Sequence, residues 1–254
     1  MSVRDFYDDL AADYDAIFAD WKAGVHWQAQ VIARLLPEDP ILDISAGMGT
    51  QAIGLALIGH KVLARDLSPA LVERGRQEAA RMGATLLGFE VGDMRQSHAE
   101  DAGRFGSAIA FDNSLPHLLE DADLTAALSA TFAALRPGGR FLASIRDYDR
   151  LALERPCMDP PRLLGVPPSR RLVQQVWTWA PDGKSYELDH LILREGVDGW
   201  SLRTRRTRYR SLARVELVAA ARACGFVDLT WLEPSESEYY QPIFVARKPR
   251  PPQG

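Results

Sequence analysis

A glycine-rich turn between two predicted elements is the first segment of the sequence that could bind a ligand. Residues 47–52 read G-M-G-T-Q-A, which has the spacing G-x-G-x-x-A, between a short apolar strand pattern and a helical pattern. Asp66 lies nineteen residues after Gly47, at the end of the next predicted strand. Glycines let the backbone approach a ligand, and a carboxylate at that strand end can accept hydrogen bonds from both ribose hydroxyls. The segment therefore predicts a site for an adenosine-bearing cofactor.

Two further carboxylates discriminate between cofactors of that kind. Asp43 precedes Gly47 by four residues, and a carboxylate beneath the turn would repel a pyrophosphate but suits the ammonium end of a methionine moiety. Asp93, beside Met94, follows the third predicted strand, where it can accept from an adenine amino group while the thioether packs on the ring. Taken alone, each carboxylate could instead cap a turn or a helix. Together they favour S-adenosylmethionine over NAD.

The predicted elements would bring these residues to one edge of a sheet. Strands are predicted at 41–44, 61–64, 85–91, 107–111 and 140–145, with helices at 51–58, 69–82 and 122–135 between them. Such alternation is typical of a parallel sheet with helices on both faces. Two last strands, 227–232 and 243–246, complete the prediction of an α/β, Rossmann-like doubly wound sheet of seven strands, the last antiparallel.

Two segments are predicted to lie outside that sheet. Apolar residues recur every three or four positions from Phe6 to Trp21, which predicts an amphipathic helix, and a second helix is expected at 27–36. Prolines after Leu153 exclude a continuous helix, and residues 171–212 resemble a three-stranded antiparallel meander. The predicted division is a helical lid at 1–40, a cofactor-binding core at 41–150, an insertion and antiparallel β flap at 151–212, the rest of the core at 213–248 and a disordered tail at 249–254.

Composition and charge limit the kinds of partner. Hydrophobic residues make up 46% of the 254 residues, and 30 Lys and Arg against 34 Asp and Glu give a net charge of -4. A globular protein of this charge offers nucleic acid no general attraction. The spacing of Cys157 and Cys224 fits neither a metal site nor a disulfide framework, and neither a signal peptide nor a membrane span is predicted. We expect a cytoplasmic protein with a small-molecule substrate, no metal, and either a monomeric or a homo-oligomeric state.

A run of five arginines between Arg203 and Arg210 could bind RNA or an anionic substrate. On a strand these side chains divide between the two faces, with Arg203 and Arg205 on one and Arg206, Arg208 and Arg210 on the other. The sequence therefore favours an exposed edge strand that is protected by charge.

The motifs resemble those of the class I S-adenosylmethionine-dependent methyltransferases over nearly the whole chain. Residues 42–49, 66–68, 92–94 and 135–139 are similar to the first motif, the ribose motif, the adenine motif and the turn before the fifth strand of that family. The resemblance implies S-adenosyl-L-methionine as cofactor and S-adenosyl-L-homocysteine as product. The residues expected at the cofactor are Tyr14, Trp21, Asp43, Ala46, Gly47, Gly49, Asp66, Leu67, Asp93, Met94 and Phe111.

Within that family, two segments resemble those of glycine and sarcosine N-methyltransferases. Residues 112–118 (D-N-S-L-P-H-L) are similar to G-N-S-F-x-H-L, and residues 145–149 (I-R-D-Y-D) are similar to H-R-N-Y-D. The family's Asn and Arg hold the substrate carboxylate, which implies that role for Asn113 and Arg146. Asp112 and Asp147 replace a Gly and an Asn and add negative charge there, which disfavours glycine itself. The expected catalytic residues are Asn113, His117 and Arg146, and the expected substrate-binding residues are Tyr7, Asn113, Arg146, Tyr148 and Tyr209.

The predicted activity is methylation of a small molecule, at nitrogen rather than oxygen. Methyl transfer from a sulfonium is an in-line displacement that depends on alignment and exclusion of water. An O-methyltransferase of a secondary metabolite and a methyltransferase-like domain that binds without catalysis are the alternatives. The family's arginine before the first motif is missing, and Trp21, Lys22 or His26 could substitute for it. Arg146 could also pair with Asp147 or Asp149.

Overall fold

A seven-stranded sheet forms the centre of the molecule, and the computed structural model describes residues 2–251. The helices and strands, in chain order, are α1 (Val3–Leu10), α2 (Trp21–Ala33), β1 (Ile41–Asp43), α3 (Thr50–Leu57), β2 (Val62–Asp66), α4 (Pro69–Met82), β3 (Gly88–Val91), β4 (Phe105–Ala110), α5 (Asp121–Ala134), β5 (Leu135–Ser144), α6 (Tyr148–Glu154), β6 (Arg162–Leu164), β7 (Arg171–Trp179), β8 (Ser185–Gly196), β9 (Gly199–Arg210), α7 (Arg214–Ala223), β10 (Val227–Leu232), α8 (Pro234–Ser237) and β11 (Ile243–Arg247). The strand order is β10-β11-β5-β4-β1-β2-β3, and β11 is antiparallel to both of its neighbours. The predicted seven-stranded α/β fold with an antiparallel last strand is confirmed.

Helices cover both faces of this sheet, as the alternation predicts. Ala108 of β4 belongs to an apolar cluster with residues of α5 and α7, whereas its neighbour Ile109 belongs to one with residues of α2, α3 and α4. Successive side chains of a strand point to opposite faces, so the two clusters lie on the two sides of the sheet. The order of the strands reverses between β1 and β4, which is where open α/β sheets bind ligands at the carboxyl ends of their strands.

The antiparallel flap has four strands, in the order β6-β7-β8-β9, rather than the predicted three. The additional strand, β6, lies within the proline-rich stretch, where Leu163 pairs with Leu172 of β7. The three residues of β6 are too few to show the alternating pattern of a strand. Pairing with the longer strand β7 satisfies their backbone hydrogen-bonding groups. The short helix α6 is also missing from the sequence prediction.

The single helix predicted from Phe6 to Trp21 is wrong. Helix α1 ends at Leu10, a 3₁₀ segment follows at Ala11–Ile17, and α2 begins at Trp21, where the Asp20 side chain accepts from the Ala23 amide (3.0 Å). The guanidinium of Arg171, in the flap, donates to the carbonyls of residues 16 and 18 (both 2.8 Å). Helix α2 therefore starts six residues before the predicted position, because a distant strand and a local cap fix the break.

Part of the arginine-rich strand joins the flap to the N-terminal segment. Asp13, 5% exposed, accepts hydrogen bonds from Arg194 (2.7 Å), Arg203 (3.2 Å) and Arg205 (2.7 Å). Arg205 is 2% exposed, so the prediction of a wholly exposed charged edge is wrong for this residue. The sequence could not show that carboxylates almost two hundred residues away would cover it.

The described residues stop short of both ends of the chain. Of the predicted disordered tail, residues 252–254 lie outside the described residues, as does Met1. Between residues 2 and 251 no helix is long and apolar enough to cross a membrane.

Candidate functional site

A cavity of about 580 Å³ lies at the carboxyl ends of β1, β2 and β4, between the core, the N-terminal segment and β9 of the flap. Ten of the residues predicted from the sequence line it, and these are Tyr7, Tyr14, Ala46, Gly47, Asp66, Leu67, Asp93, Met94, Phe111 and His117. The cavity is therefore large enough to admit both a nucleoside and a small acceptor molecule.

The glycine turn forms one wall of the cavity and has the shape that a cofactor requires. Gly47 has φ +56°, and a Cβ atom at this position would lie 3.1 Å from the hydroxyl of Tyr14. Asp66 accepts from the amides of Gly47 (2.7 Å) and Ser68 (2.9 Å), which fixes its carboxylate at the strand end. Burial raises the pKa of Asp66 to about 6. These residues fit a ribose on Asp66 and a ligand chain against the bare backbone of Gly47.

Three predicted cofactor residues do not line the cavity. Asp43 is 1% exposed and lies under the turn, where it accepts from the Ser45 amide (3.2 Å) and burial raises its pKa to about 8. The indole of Trp21 donates to Thr50 (2.9 Å), and a Cβ atom on Gly49 would lie 2.8 Å from the Ile53 side chain. Direct ligand contacts were expected for these three residues, but in the structure they support the turn from behind. Lys22 and His26 are exposed and do not line the cavity either.

Asp93 and Met94 lie at the opposite end of the cavity from the glycine turn along the strand ends. The Asp93 carboxylate accepts from the guanidinium of Arg95 (2.6 Å), and hydrogen bonding to Arg95 lowers its pKa. Arg95 also donates to Asp123 (2.9 Å), at the start of α5. Asp93 is thus held ionised beside a thioether, as an acceptor for an adenine amino group requires.

A tyrosine and a histidine are hydrogen-bonded to each other in the cavity wall. The hydroxyl of Tyr7, on α1, lies 2.8 Å from Nε2 of His117, and the His117 ring lies 4.1 Å from that of Tyr209 between ring centroids. Burial, together with the charge of Arg146, lowers the pKa of His117 to about 3. Burial also raises the pKa of Tyr7 well above its ordinary value. The pair is therefore uncharged at neutral pH, so it can exchange hydrogen bonds but is a weak base.

The predicted carboxylate clamp is not on the cavity wall. The guanidinium of Arg146 donates to Tyr186 (2.7 Å) and to Gln175 (2.8 Å) and lies 4.6 Å above the ring of Trp177. Its amide donates to the Asn113 side chain (3.0 Å). Asn113 and Tyr148 are buried, and Tyr209 packs behind His117. These four residues lie behind the Tyr7–His117 pair. The flap, whose position the sequence does not give, occupies the Arg146 donors. Asp147 and Asp149 lie near Arg214 instead.

Several lining residues are absent from the sequence prediction of the site. Asp112, mentioned above only as a departure from the family, lines the cavity together with Gln51. Thr207 and Arg208 of β9 and Arg4 of α1 close it from above. Gln51 lies within the G-x-G-x-x-A motif and Asp112 directly follows Phe111, so proximity to predicted residues is the signal that could have identified them. Among residues 2–251, no group of three or more His, Cys, Asp or Glu side chains could hold a metal ion.

Sequence comparisons relate parts of this chain to known methyltransferases. Residues 41–139 match the methyltransferase domain family. The glycine/sarcosine N-methyltransferase of Parasynechococcus marenigrum (strain WH8102) is 30% identical over 151 residues, which are 58% of this chain and 53% of the relative. A ubiquinone/menaquinone biosynthesis C-methyltransferase of Caulobacter vibrioides is 28% identical over 201 residues, with 73% and 74% of the two chains covered. The chain spans about half the length of the first of these relatives.

Solved structures share the fold over nearly the whole chain. DesVI of Streptomyces venezuelae superposes with a TM-score of 0.75 at 20% identity, covering 94% of this chain and 98% of the other. CalS10, an amino pentose methyltransferase from Micromonospora echinaspora solved with S-adenosylmethionine bound, gives a TM-score of 0.71 at 19% identity, covering 93% and 95%. The fold is thus that of S-adenosylmethionine-dependent methyltransferases.

Proposed function

We propose that this chain is a class I S-adenosylmethionine-dependent methyltransferase and that it methylates an amine nitrogen of a small molecule. Its fold and the match of residues 41–139 to the methyltransferase domain family support the first part of the proposal. The observation that carries the choice of nitrogen is an acidic cavity that contains an uncharged histidine. The carboxylates on its wall are those of Asp66, Asp93, Asp112, Glu120 and Asp123, and they outnumber the arginines, which are Arg4, Arg95 and Arg208. The name of the Parasynechococcus marenigrum relative, a glycine/sarcosine N-methyltransferase, also supports this proposal.

The charge of the cavity suits an amine acceptor. When bound, S-adenosylmethionine supplies an electrophilic methyl group on a positively charged sulfur. A neutral amine attacks through its lone pair, so the positive charge moves from sulfur to nitrogen and a cation is present throughout. The net negative charge of the cavity wall favours such a cation over an anionic acceptor. A phenolate acceptor would instead be repelled by the same carboxylates.

The Tyr7–His117 pair also favours an amine. A hydroxyl acceptor must lose its proton as it is methylated and therefore gains from a base of suitable pKa. The His117 pKa of about 3 makes it a poor base at neutral pH. An amine that enters deprotonated needs only alignment, which an imidazole nitrogen that accepts a hydrogen bond provides. His117 and Tyr7 thus orient the acceptor, Asp66 holds the ribose, and Asp93 with Met94 holds the adenine.

Matched acceptors that differ only in the nucleophile test this proposal. Release of S-adenosylhomocysteine would be measured with amino acids and amino sugars and with their hydroxyl counterparts, such as an amino sugar against its parent sugar. We expect turnover with members of the amine set and none with their hydroxyl partners. The Asp66→Ala variant, which lacks the ribose contact, is the control for background release. Preferential turnover of hydroxyl acceptors would contradict the assignment to nitrogen.

A further inference from the structure

Asp112 is held in a backbone conformation that disfavours most side chains. It directly follows Phe111 at the end of β4 and has φ +57°, and Asn113 after it has φ +68°. Two consecutive non-glycine residues in the left-handed region are uncommon, because each is strained there. A glycine at residue 112 would remove that strain for the first of them. The retention of a carboxylate at this position indicates that its side chain has a use.

Four uncharged donors fix the Asp112 carboxylate. One oxygen accepts from the hydroxyls of Tyr239 and Tyr240, the latter at 2.5 Å, and the other accepts from the side-chain amides of Gln51 (2.8 Å) and Gln28 (3.4 Å). Within residues 2–251 it forms no ion pair with Lys, Arg or His. The donors orient the carboxylate but leave its negative charge without a counterion, which favours a cationic ligand.

The position of the carboxylate indicates which cation it faces. Asp112 and Gln51 line the cavity together with Gly47, and none of the four donors belongs to the Tyr7–His117 pair at the acceptor end. Besides burial, the charges of Asp112 and Asp66 raise the pKa of Tyr14, whose hydroxyl lies over Gly47. Asp112 therefore lies on the side of the glycine turn, where the amino-acid end of the cofactor must extend from a ribose on Asp66.

We infer that Asp112 binds the α-ammonium group of the cofactor's methionine moiety. Asp43, for which the sequence suggested this contact, lies buried beneath the turn, whereas Asp112 reaches the cavity. The segment of Tyr239 and Tyr240 thereby takes part in cofactor recognition through the carboxylate that it orients. The inference rests on the cofactor of the proposed function and is independent of the acceptor.

A pair of cofactor fragments separates this contact from the rest of the site. Calorimetry would measure the affinity of S-adenosylhomocysteine, which carries the ammonium group, and of 5′-methylthioadenosine, which lacks the amino-acid end. Asp112→Asn should weaken S-adenosylhomocysteine binding by about ten-fold or more, because a charged hydrogen bond is lost, and leave 5′-methylthioadenosine within about two-fold. Asp112→Gly suits φ +57° and should give the same pattern, so it replaces the first variant should that one fail to fold.

Two further variants serve as controls in the same experiment. Asp66→Asn should weaken both ligands, since both carry the ribose. Glu120→Gln removes a negative charge from the cavity wall and should affect neither ligand. Equal weakening of both ligands by the Asp112 variants, or unchanged affinity with a raised KM for the amine, would overturn the inference. A wild-type protein that binds neither ligand would overturn the proposed function as well.

Discussion

His117 shows at the scale of single residues how environment determines chemistry. Its ring packs against Tyr209 and its Nε2 atom pairs with Tyr7, so the imidazole has lost most of its contact with water. Burial opposes the charged form, and the nearby guanidinium of Arg146 adds to this effect, which lowers the pKa to about 3. The histidine therefore stays neutral across the range in which amines lose their protons.

The pH dependence of the reaction should follow the acceptor rather than this histidine. Below the pKa of the acceptor amine, kcat/KM should rise about ten-fold per pH unit as the free amine forms, without levelling near 6.5. His117→Ala should lose orientation only, and hence less than the ~100-fold typical of a lost general base. Initial rates between pH 6 and 10 would check both expectations. A plateau near 6.5 in the wild type, abolished in the variant, would instead identify His117 as the base.

The chemistry of individual residues was predictable where it depends on strand ends. Asp66 and Asp93 follow short apolar strands, and parallel strands place such residues at one edge, so their convergence on the cavity follows from the sequence. The depth of Asp43 and the partners of Arg146 do not follow from it. The partners of Arg146 lie far away in the chain, as the Gln175 side chain of the flap shows. The burial of Asp43 depends on the two strands that flank β1 in the sheet.

At the scale of elements, ion pairs fasten the N-terminal segment to the flap. Asp13 lies among Arg194, Arg203 and Arg205. Burial by itself would raise the Asp13 pKa, but hydrogen bonds from Arg205 and Arg194 outweigh this effect and lower the pKa. These contacts place α1, and with it Tyr7, against β9 above the cavity. The roof of the cavity is thus formed by two elements that are joined by buried charges.

Removing the central carboxylate should loosen this roof. Asp13→Asn leaves the buried Arg205 guanidinium with Asp9 as its one remaining carboxylate partner. It also removes the charged acceptor of the more exposed Arg194 and Arg203, and we expect a total loss of about 2 kcal/mol in the free energy of unfolding. Asp15→Asn is the matched control, because Asp15 is half-exposed and its ion pair with Arg74 should contribute less than about 1 kcal/mol. Urea unfolding at pH 7 would measure both. Equal stability of the two variants would show that the roof does not depend on Asp13.

Helices and strands that depend on their own sequence pattern were predictable, whereas those that depend on contacts far away in the chain were not. The alternating strands and helices between residues 41 and 145 each carry their own periodicity and were predicted to within a few residues, except that β5 begins at Leu135 and includes the predicted turn before residue 140. The break before α2 was not, because Arg171 binds the backbone there and the apolar period continues through it. Strand β6 was missed because its partner, β7, rather than its own pattern, makes it a strand.

Over the whole molecule, the core, the N-terminal segment and the flap enclose one cavity. The core contributes the strand ends for which we propose nucleoside binding, and the two other parts contribute Tyr7, Thr207 and Arg208 to the lining. Because the core, the N-terminal segment and the flap surround the cavity, water is excluded from a displacement reaction within it. The excess of carboxylates over arginines favours a reaction in which a positive charge is present throughout. These features together support methyl transfer to an amine nitrogen.

The position of the transferred methyl group tests this conclusion most directly. The protein would be incubated with S-adenosylmethionine labelled with ¹³C at the methyl carbon and an amino alcohol or amino sugar that it turns over, so that nitrogen and oxygen compete within one acceptor. The product spectrum should show the label at the chemical shift of an N-methyl group. A label found at an O-methyl shift, with the amine unchanged, would contradict the proposed function.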